Sequence, residues 1–248
     1  MIITHMGNGI VKFDKALDID SETLQNFLGS VENTDKNEIV KDGDDYILTD
    51  GKYRIPSSHV SMTPKRFTEL YKLEKQEDIE FMEKIRGTIT SCLVEYCKIF
   101  PIVIENIRWV TDGYIIKYEN GQYIGAHSDC NIAYESDGVT PANIFPMQNI
   151  LTCGLFLNDD FIGGEIHYRP WGITARPKSG SVVIYPSSYL GCHEVYPVTD
   201  GVRYAYLCWF GNGSTDNSST QSVSNTVKNI GMTNSQQKYV PVGIIESI

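Results

Sequence analysis

The chain has 248 residues, 41% of them hydrophobic and 11% aromatic, with 21 basic and 31 acidic side chains for a formal charge of −10. That length fits one large mixed or all-β domain, or two small ones, with a real core. The negative charge and the lack of any Lys/Arg cluster argue against nucleic acid as a partner, and no run approaches the ~18 apolar residues of a membrane-spanning helix. Met1-Ile2-Ile3-Thr4-His5 lacks the basic and apolar regions of a signal peptide. Six scattered cysteines without a CxxC pair read as reduced core thiols. A soluble, cytoplasmic protein is expected.

Residues 9–17 are expected to form a first short strand. Asp18 or Asp20 is placed to cap a helix carrying Leu24, Phe27 and Leu28 on one face, with Gly29 closing it. Residues 31–62 are polar and turn-rich, with Asp42-Gly43 and Asp50-Gly51 as turn signals between short strands. Thr63-Pro64 reads as a helix start. A longer helix follows over roughly 77–99, where Ile79, Met82, Ile85, Ile89, Leu93, Tyr96 and Phe100 recur at three- and four-residue steps.

After Phe100 the period changes. Short β-like runs at 107–118, 150–157, 164–168, 181–186 and 203–210 are rich in Val, Ile, Tyr, Trp and Phe. Helices first and strands after indicate an α+β chain with a β-sandwich or jelly-roll core. The reading is a single domain over 1–213, with helical support at 18–100, packed on one sheet, and a core at 105–211. Residues 214–248 form a polar C-terminal extension, whose apolar end from Tyr239 to Ile245 can dock back as an edge strand.

His127-Ser128-Asp129 places an imidazole and a carboxylate two residues apart, on one face of an extended segment. His193 lies 64 residues beyond Asp129. Two His and one carboxylate make a facial triad with open coordination positions, the pattern of non-haem Fe(II) oxygenases. The pair alone says little, since composition gives about 0.6 chance matches. Arg203 strengthens it. A guanidinium inside the aromatic strand Val202-Arg203-Tyr204-Ala205-Tyr206 is costly to bury without an anion, and its planar fork suits a carboxylate. A metal with open sites near an arginine is what a 2-oxo dicarboxylate needs.

With these residues in view, the sequence resembles the 2-oxoglutarate- and Fe(II)-dependent dioxygenases, in their prolyl 4-hydroxylase-like branch. The resemblance runs from about Trp109 to Phe210. It rests on Tyr118-Glu119-Asn120-Gly121-Gln122-Tyr123 before His127-Ser128-Asp129, and on Leu151-Thr152-Cys153-Gly154-Leu155-Phe156-Leu157-Asn158 before Gly163-Gly164-Glu165. It continues in Arg176-Pro177-Lys178-Ser179-Gly180 with the strand to Tyr185, and in His193 through Pro197-Val198 to Gly201-Val202-Arg203-Tyr204 and Trp209. Arg203 stands where the collagen-type enzymes usually carry Lys.

The resemblance implies a double-stranded β-helix in which His127, Asp129 and His193 ligate Fe(II) and Arg203 holds the distal carboxylate of 2-oxoglutarate. Tyr118 is then placed to donate its hydroxyl to the same cosubstrate, and Thr152 to line its pocket. O2 is the oxidant, succinate and CO2 are released, and ascorbate is an expected reductant. Trp209 is read as packing, Gly163-Gly164 as a hairpin turn, Arg169 and Trp171 as candidates to touch substrate, and His167 as a bystander. The leading substrate is a prolyl or other side chain of a protein or peptide. A free amino acid or small metabolite is the alternative, and a non-catalytic jelly-roll binding protein the reading from another class. A nucleic-acid dealkylase fits poorly, because Trp209 stands where those enzymes carry a second Arg.

Overall fold

In the computed structural model, which describes residues 1–34, 39–42, 45–48, 54–56, 63–130, 148–212 and 239–241, the chain opens with a hairpin. β1 (Ile2–Gly7) turns through Asn8-Gly9 into β2 (Ile10–Asp14). Helix α1 (Ser21–Thr34) follows, and Asp20 caps it by accepting a hydrogen bond from the Thr23 amide at 2.8 Å. The helix does not end at Gly29. Leu24, Phe27, Val31 and Thr34 are buried at three- and four-residue steps, which carries it a turn further, while Gly29 sits on the exposed face without the left-handed φ of a helix-ending glycine.

β3 (Ile39–Asp42), β4 (Asp45–Leu48) and β5 (Arg54–Pro56) form a meander. Gly43 and the Asp50-Gly51 turn signal lie outside the described residues. The Thr63-Pro64 helix start is corrected. β6 (Lys65–Phe67) is extended there, and it buries Phe67 opposite Ile115. Proline lacks an amide to lose and is as compatible with a strand entry as with a helix entry. Helix α2 (Gln76–Ile99) buries Phe81, Met82, Ile85, Ile89, Cys92, Leu93, Tyr96 and Cys97. Ile79 falls off that stripe and is 38% exposed, the neighbouring Asp78 being buried instead.

The strand expected over 107–118 is two strands, β7 (Trp109–Thr111) and β8 (Tyr114–Tyr118), broken at Asp112-Gly113. Gly113 has φ +72°, and a Cβ there would run into the Leu207 carbonyl oxygen and the Tyr206 ring. Gly113→Ala should therefore cost about 2–4 kcal/mol, read as a fall in the unfolding midpoint of roughly 5–15 °C. An unchanged midpoint would show that this bend tolerates a side chain.

The rest of the chain is β9 (Ile124–His127), β10 (Gln148–Phe156), β11 (Ile162–Gly163), β12 (Ile166–Tyr168), β13 (Ile173–Ala175), β14 (Val182–Pro186), β15 (His193–Val195), β16 (Val198–Asp200), β17 (Arg203–Asn212) and β18 (Tyr239–Pro241). A large sheet runs β1-β2-β14-β10-β17-β7-β18, with β8 paired to β17 and β6 to β8. A smaller sheet runs β13-β12-β15-β9, beside the β11–β16 pair. These antiparallel sheets make the double-stranded β-helix. β18 pairs with β7, as an edge strand from the C-terminal extension should; residues 213–238 lie outside the described residues. Gly163-Gly164 is a bend rather than a hairpin turn, since β11 pairs with β16 and β12 with β13 and β15. Both glycines have positive φ, +83° and +67°.

Central strands are buried on both faces, which explains their nearly continuous apolar sequences. Leu151, Cys153 and Leu155 of β10, Val182 and Ile184 of β14, and Tyr206, Cys208 and Phe210 of β17 pack against α1 and α2. The alternate residues Phe156, Val183, Tyr185, Ala205 and Trp209 face the inner chamber, with Tyr168, Ile166 and Val195 of the smaller sheet. A polar latch ties α1 to the large sheet. Glu32 accepts a hydrogen bond from the Tyr204 hydroxyl at 2.6 Å and pairs with Lys117 at 3.1 Å, and Lys117 also reaches Glu119 at 3.2 Å.

Candidate metal and cosubstrate site

β9 ends on His127 and β15 begins on His193, and the two are direct partners across the antiparallel pair. Their rings therefore meet, with centroids 4.4 Å apart. Each Nδ1 lies near a carbonyl, His127 with Gly125 at 2.8 Å and His193 with Gly191 at 2.9 Å. A carbonyl only accepts, so each Nδ1 carries a proton and each Nε2 is the ring nitrogen left to face the cluster. Asp129, two residues past the end of β9, sets Oδ1 3.5 Å from His127 Nε2. One ligand atom from each of His127, Asp129 and His193 lies within 4.8 Å of the others.

Two hydroxyls hold the carboxylate. Oδ2 of Asp129 accepts from Thr152 Oγ1 at 2.8 Å and Tyr185 Oη at 3.1 Å, and Tyr185 Oη also lies 3.2 Å from His193 Nε2. Thr152 in turn shares a 2.8 Å hydrogen bond with Ser187. Burial would raise the Asp129 carboxyl, but hydrogen bonding to His127, the histidine charges and the Thr152 donor hold it at about 2. Burial pushes His193 toward its neutral form, against the pull of Asp129. For His127 the hydrogen bond and charge of Asp129 outweigh burial and raise it.

Arg203 opens β17 and is the cross-strand partner of Tyr118 on β8. Only 3% of it is exposed. Its guanidinium carbon lies 4.5 Å from the Tyr118 ring centroid and 5.3 Å from that of Phe156. Nε and Nη1 are buried and have no acceptor among the described residues. Gly164 makes room for the stem, since a Cβ there would sit 2.9 Å from Arg203 Cδ.

Thus His127, Asp129 and His193 come together, and Arg203 and Tyr118 meet across β17 and β8. The Thr152 hydroxyl is hydrogen-bonded to Asp129 and Ser187. Trp209 is buried against Tyr114, as packing requires, although its Nε1 finds no acceptor among the described residues. His167 points away from the chamber, 3.0 Å from Thr174 Oγ1 and stacked on Tyr196. Arg169 pairs with Glu194, and Trp171 donates to the Leu190 carbonyl. Sequence reasoning missed Tyr185 and Ser187. The period-two alternation from Val183 through Tyr185 to Ser187 was the available signal, since it puts both hydroxyls on one face. Tyr185→Phe should weaken divalent metal binding about 10- to 100-fold, measured by anaerobic Co(II) titration. Affinity equal to wild type would leave Tyr185 a packing residue.

Residues 113–211 match the model of the 2OG-Fe(II) oxygenase superfamily. The chain is similar to a PKHD-type hydroxylase of Acidovorax ebreus (strain TPSY), 35% identical over 97 residues that cover 38% of this chain and 40% of that protein. It is 28% identical over 160 residues to a PKHD-type hydroxylase of Xanthomonas euvesicatoria pv. vesicatoria (strain 85-10), covering 63% of this chain and 65% of that one. The chain thus spans about 40% of the length of the first of these curated relatives. Among solved structures, its fold is like that of the viral collagen prolyl hydroxylase vCPH from Paramecium Bursaria Chlorella virus-1 in its 2OG complex, with TM-score 0.53 and 16% identity over 82% of this chain and 96% of that one. It is also like a prolyl hydroxylase from Trichoplax adhaerens in complex with a hypoxia inducible factor oxygen degradation domain peptide fragment, with TM-score 0.52 and 17% identity over 82% of this chain and 84% of that one. The matched span contains His127, Asp129, His193 and Arg203.

Proposed function

With residues 113–211 matching the 2OG-Fe(II) oxygenase superfamily model, we propose that the chain is a prolyl 4-hydroxylase-like dioxygenase that hydroxylates a C–H bond, foremost of a prolyl side chain in a protein or peptide. The observation that carries this reading is the buried Arg203, whose Nε and Nη1 lack an acceptor among the described residues. A desolvated guanidinium calls for an anion, and a distal carboxylate supplies one. The His-Asp-His donor set suits Fe(II), with its ligand atoms within 4.8 Å of one another.

In this reading His127, Asp129 and His193 hold the iron, and Arg203 pairs with the distal carboxylate of 2-oxoglutarate. Bound iron and 2-oxoglutarate supply O2 reduction coupled to decarboxylation, giving succinate, CO2 and a hydroxylated product. The protein's own part is preorganisation. Gly125 and Gly191 fix the imidazole tautomers, and Thr152 and Tyr185 keep the Asp129 carboxylate oriented and ionised. Tyr118 and Phe156 hold the guanidinium between aromatic faces, and the apolar chamber around them excludes water. The turns that follow β12 and precede β15 carry Trp171, 38% exposed, and Tyr189, 77% exposed, joined through the Trp171–Leu190 hydrogen bond. They give a peptide an aromatic ledge beside His193. No described helix is long and apolar enough to cross a membrane.

Anaerobic titration with 2-oxoglutarate tests the reading. A visible charge-transfer band that requires both Fe(II) and 2-oxoglutarate is expected, followed on aeration by succinate release and a gain of one oxygen on a proline-containing peptide. A folded, metal-replete protein giving neither band nor succinate would overturn the dioxygenase reading. Succinate release stimulated only by a free amino acid would move the substrate to a small molecule.

A further inference from the structure

We propose that Arg66 recognises a carboxylate on the substrate, so that the target residue is one with an acidic group beside it. The inference deepens the dioxygenase reading above and rests on it. β6 pairs with β8 at an edge of the large sheet, and its partners are Lys65 with Lys117, Arg66 with Ile116, and Phe67 with Ile115. Phe67 and Ile115 belong to the core under the helices, whereas Tyr114, Ile116 and Tyr118 line the chamber. Cross-strand partners share a face, so Arg66 lies on the chamber side. Lys65 and Lys117 lie on the other, where their charges act on Glu32.

Arg66 stands on the open side of the metal cluster. The His127 side chain is 35% exposed, whereas His193 is 5% exposed. The charge of Arg66 acts on both His127 and Tyr118. Its guanidinium carbon lies 5.3 Å from the Tyr114 ring centroid, and that ring lies 5.5 Å from Trp209. Trp209 is the cross-strand partner of Thr152, whose hydroxyl bonds to Asp129. A chain of contacts therefore leads from Arg66 to the metal end of the chamber. The Tyr114 face restricts where a long side chain can carry its charge, while Arg66 stays exposed to an incoming group. A protein of formal charge −10 repels anions at long range, so a cation held at this mouth reverses the sign locally. In a peptide or an amino acid, the anion that matches a guanidinium fork is a carboxylate. It has two sources, an Asp or Glu side chain beside the target proline or the α-carboxylate of a free amino acid.

Arg66→Gln removes the charge and keeps much of the stem. The probes are two pairs: a peptide with Glu beside its proline against the same peptide with Gln, and free proline against prolinamide. Binding to the Co(II) protein with 2-oxoglutarate is measured by calorimetry at low salt, and turnover of the Fe(II) protein by succinate release. Wild type should favour the Glu peptide about 10-fold, in Kd and in KM rather than kcat, and Arg66→Gln should bring the ratio to about 1. Arg66→Glu should favour the corresponding Lys peptide instead. A preference for proline over prolinamide that Arg66→Gln abolishes, with the two peptides equal, would uphold the contact and assign the carboxylate to a free amino acid. Failure of wild type to distinguish the members of either pair, or a preference that survives in Arg66→Gln, would overturn the proposal. Loss of 2-oxoglutarate affinity in Arg66→Gln, read by the anaerobic charge-transfer band, would overturn it by moving Arg66 to the cosubstrate. A Glu-over-Gln binding preference without succinate release from wild type would uphold Arg66 as the carboxylate reader and overturn the dioxygenase reading.

Discussion

Replacing Arg203 with methionine should weaken 2-oxoglutarate by about 100-fold or more and, in the absence of cosubstrate, make the protein more stable. Both outcomes follow from one observation, a cation 3% exposed with two donor nitrogens lacking acceptors among the described residues. Desolvating such a group costs several kcal/mol. The Tyr118 and Phe156 faces return only about 0.5–2 kcal/mol each. Methionine fills similar space without the charge and should raise the unfolding midpoint by several degrees. Saturating cosubstrate should reverse the order, because a ligand at 100 times its Kd adds about 2.7 kcal/mol to the protein that binds it. Thermal unfolding of both proteins, with Fe(II) present and with or without 2-oxoglutarate, measures the crossing directly. A methionine variant less stable in both conditions would show that Arg203 is a structural residue.

Asp129→Ala should abolish tight Fe(II) binding, with a loss beyond the 10- to 100-fold expected for a residue that only supports a ligand. Succinate production should fall to background. The carboxylate lies within reach of both imidazoles, is held at about 2 by its neighbours, and so brings negative charge to the cluster across the ordinary pH range. Its removal also strips Tyr185 and Thr152 of a shared acceptor, although Thr152 keeps Ser187. Anaerobic Co(II) titration separates the cases: Asp129→Ala should fall well below Tyr185→Phe. Equal affinities in Asp129→Ala and wild type would remove Asp129 from the ligand set.

The sequence exposed the centre of this site because its residue types are out of place there. An arginine amid Val, Tyr and Ala is conspicuous by its cost, and His127-Ser128-Asp129 is conspicuous by spacing. What stayed hidden has two causes. β9 and β15, which carry the histidines, span only Ile124–His127 and His193–Val195, too short for periodicity to register. Tyr185 reads as an ordinary strand tyrosine, since the partner of a buried hydroxyl is set by the facing strand and not by its own neighbours. Thr63-Pro64 misled for a related reason: proline marks the entry to an element without saying which kind. Likewise Gly29 looked like a helix stop until Val31 and Thr34 supplied another buried turn.

The latch between Glu32, Tyr204 and Lys117 adjoins the buried Arg203 in a specific way. Tyr204 pairs with Lys117 across the sheet, in the register next to Arg203 and Tyr118. Successive strand residues face opposite sides, so α1 grips from outside the pair of positions next to the pair that presents Arg203 and Tyr118 inside. Yet α1 lies wholly outside the span matched to the superfamily. In mechanical terms the N-terminal helix is a clamp whose grip rests on one carboxylate, Glu32, which serves Tyr204 as acceptor and Lys117 as counter-charge. Domain-boundary choices for expression inherit the same constraint, because a fragment trimmed to the matched span would keep every candidate ligand and lose the brace behind Arg203.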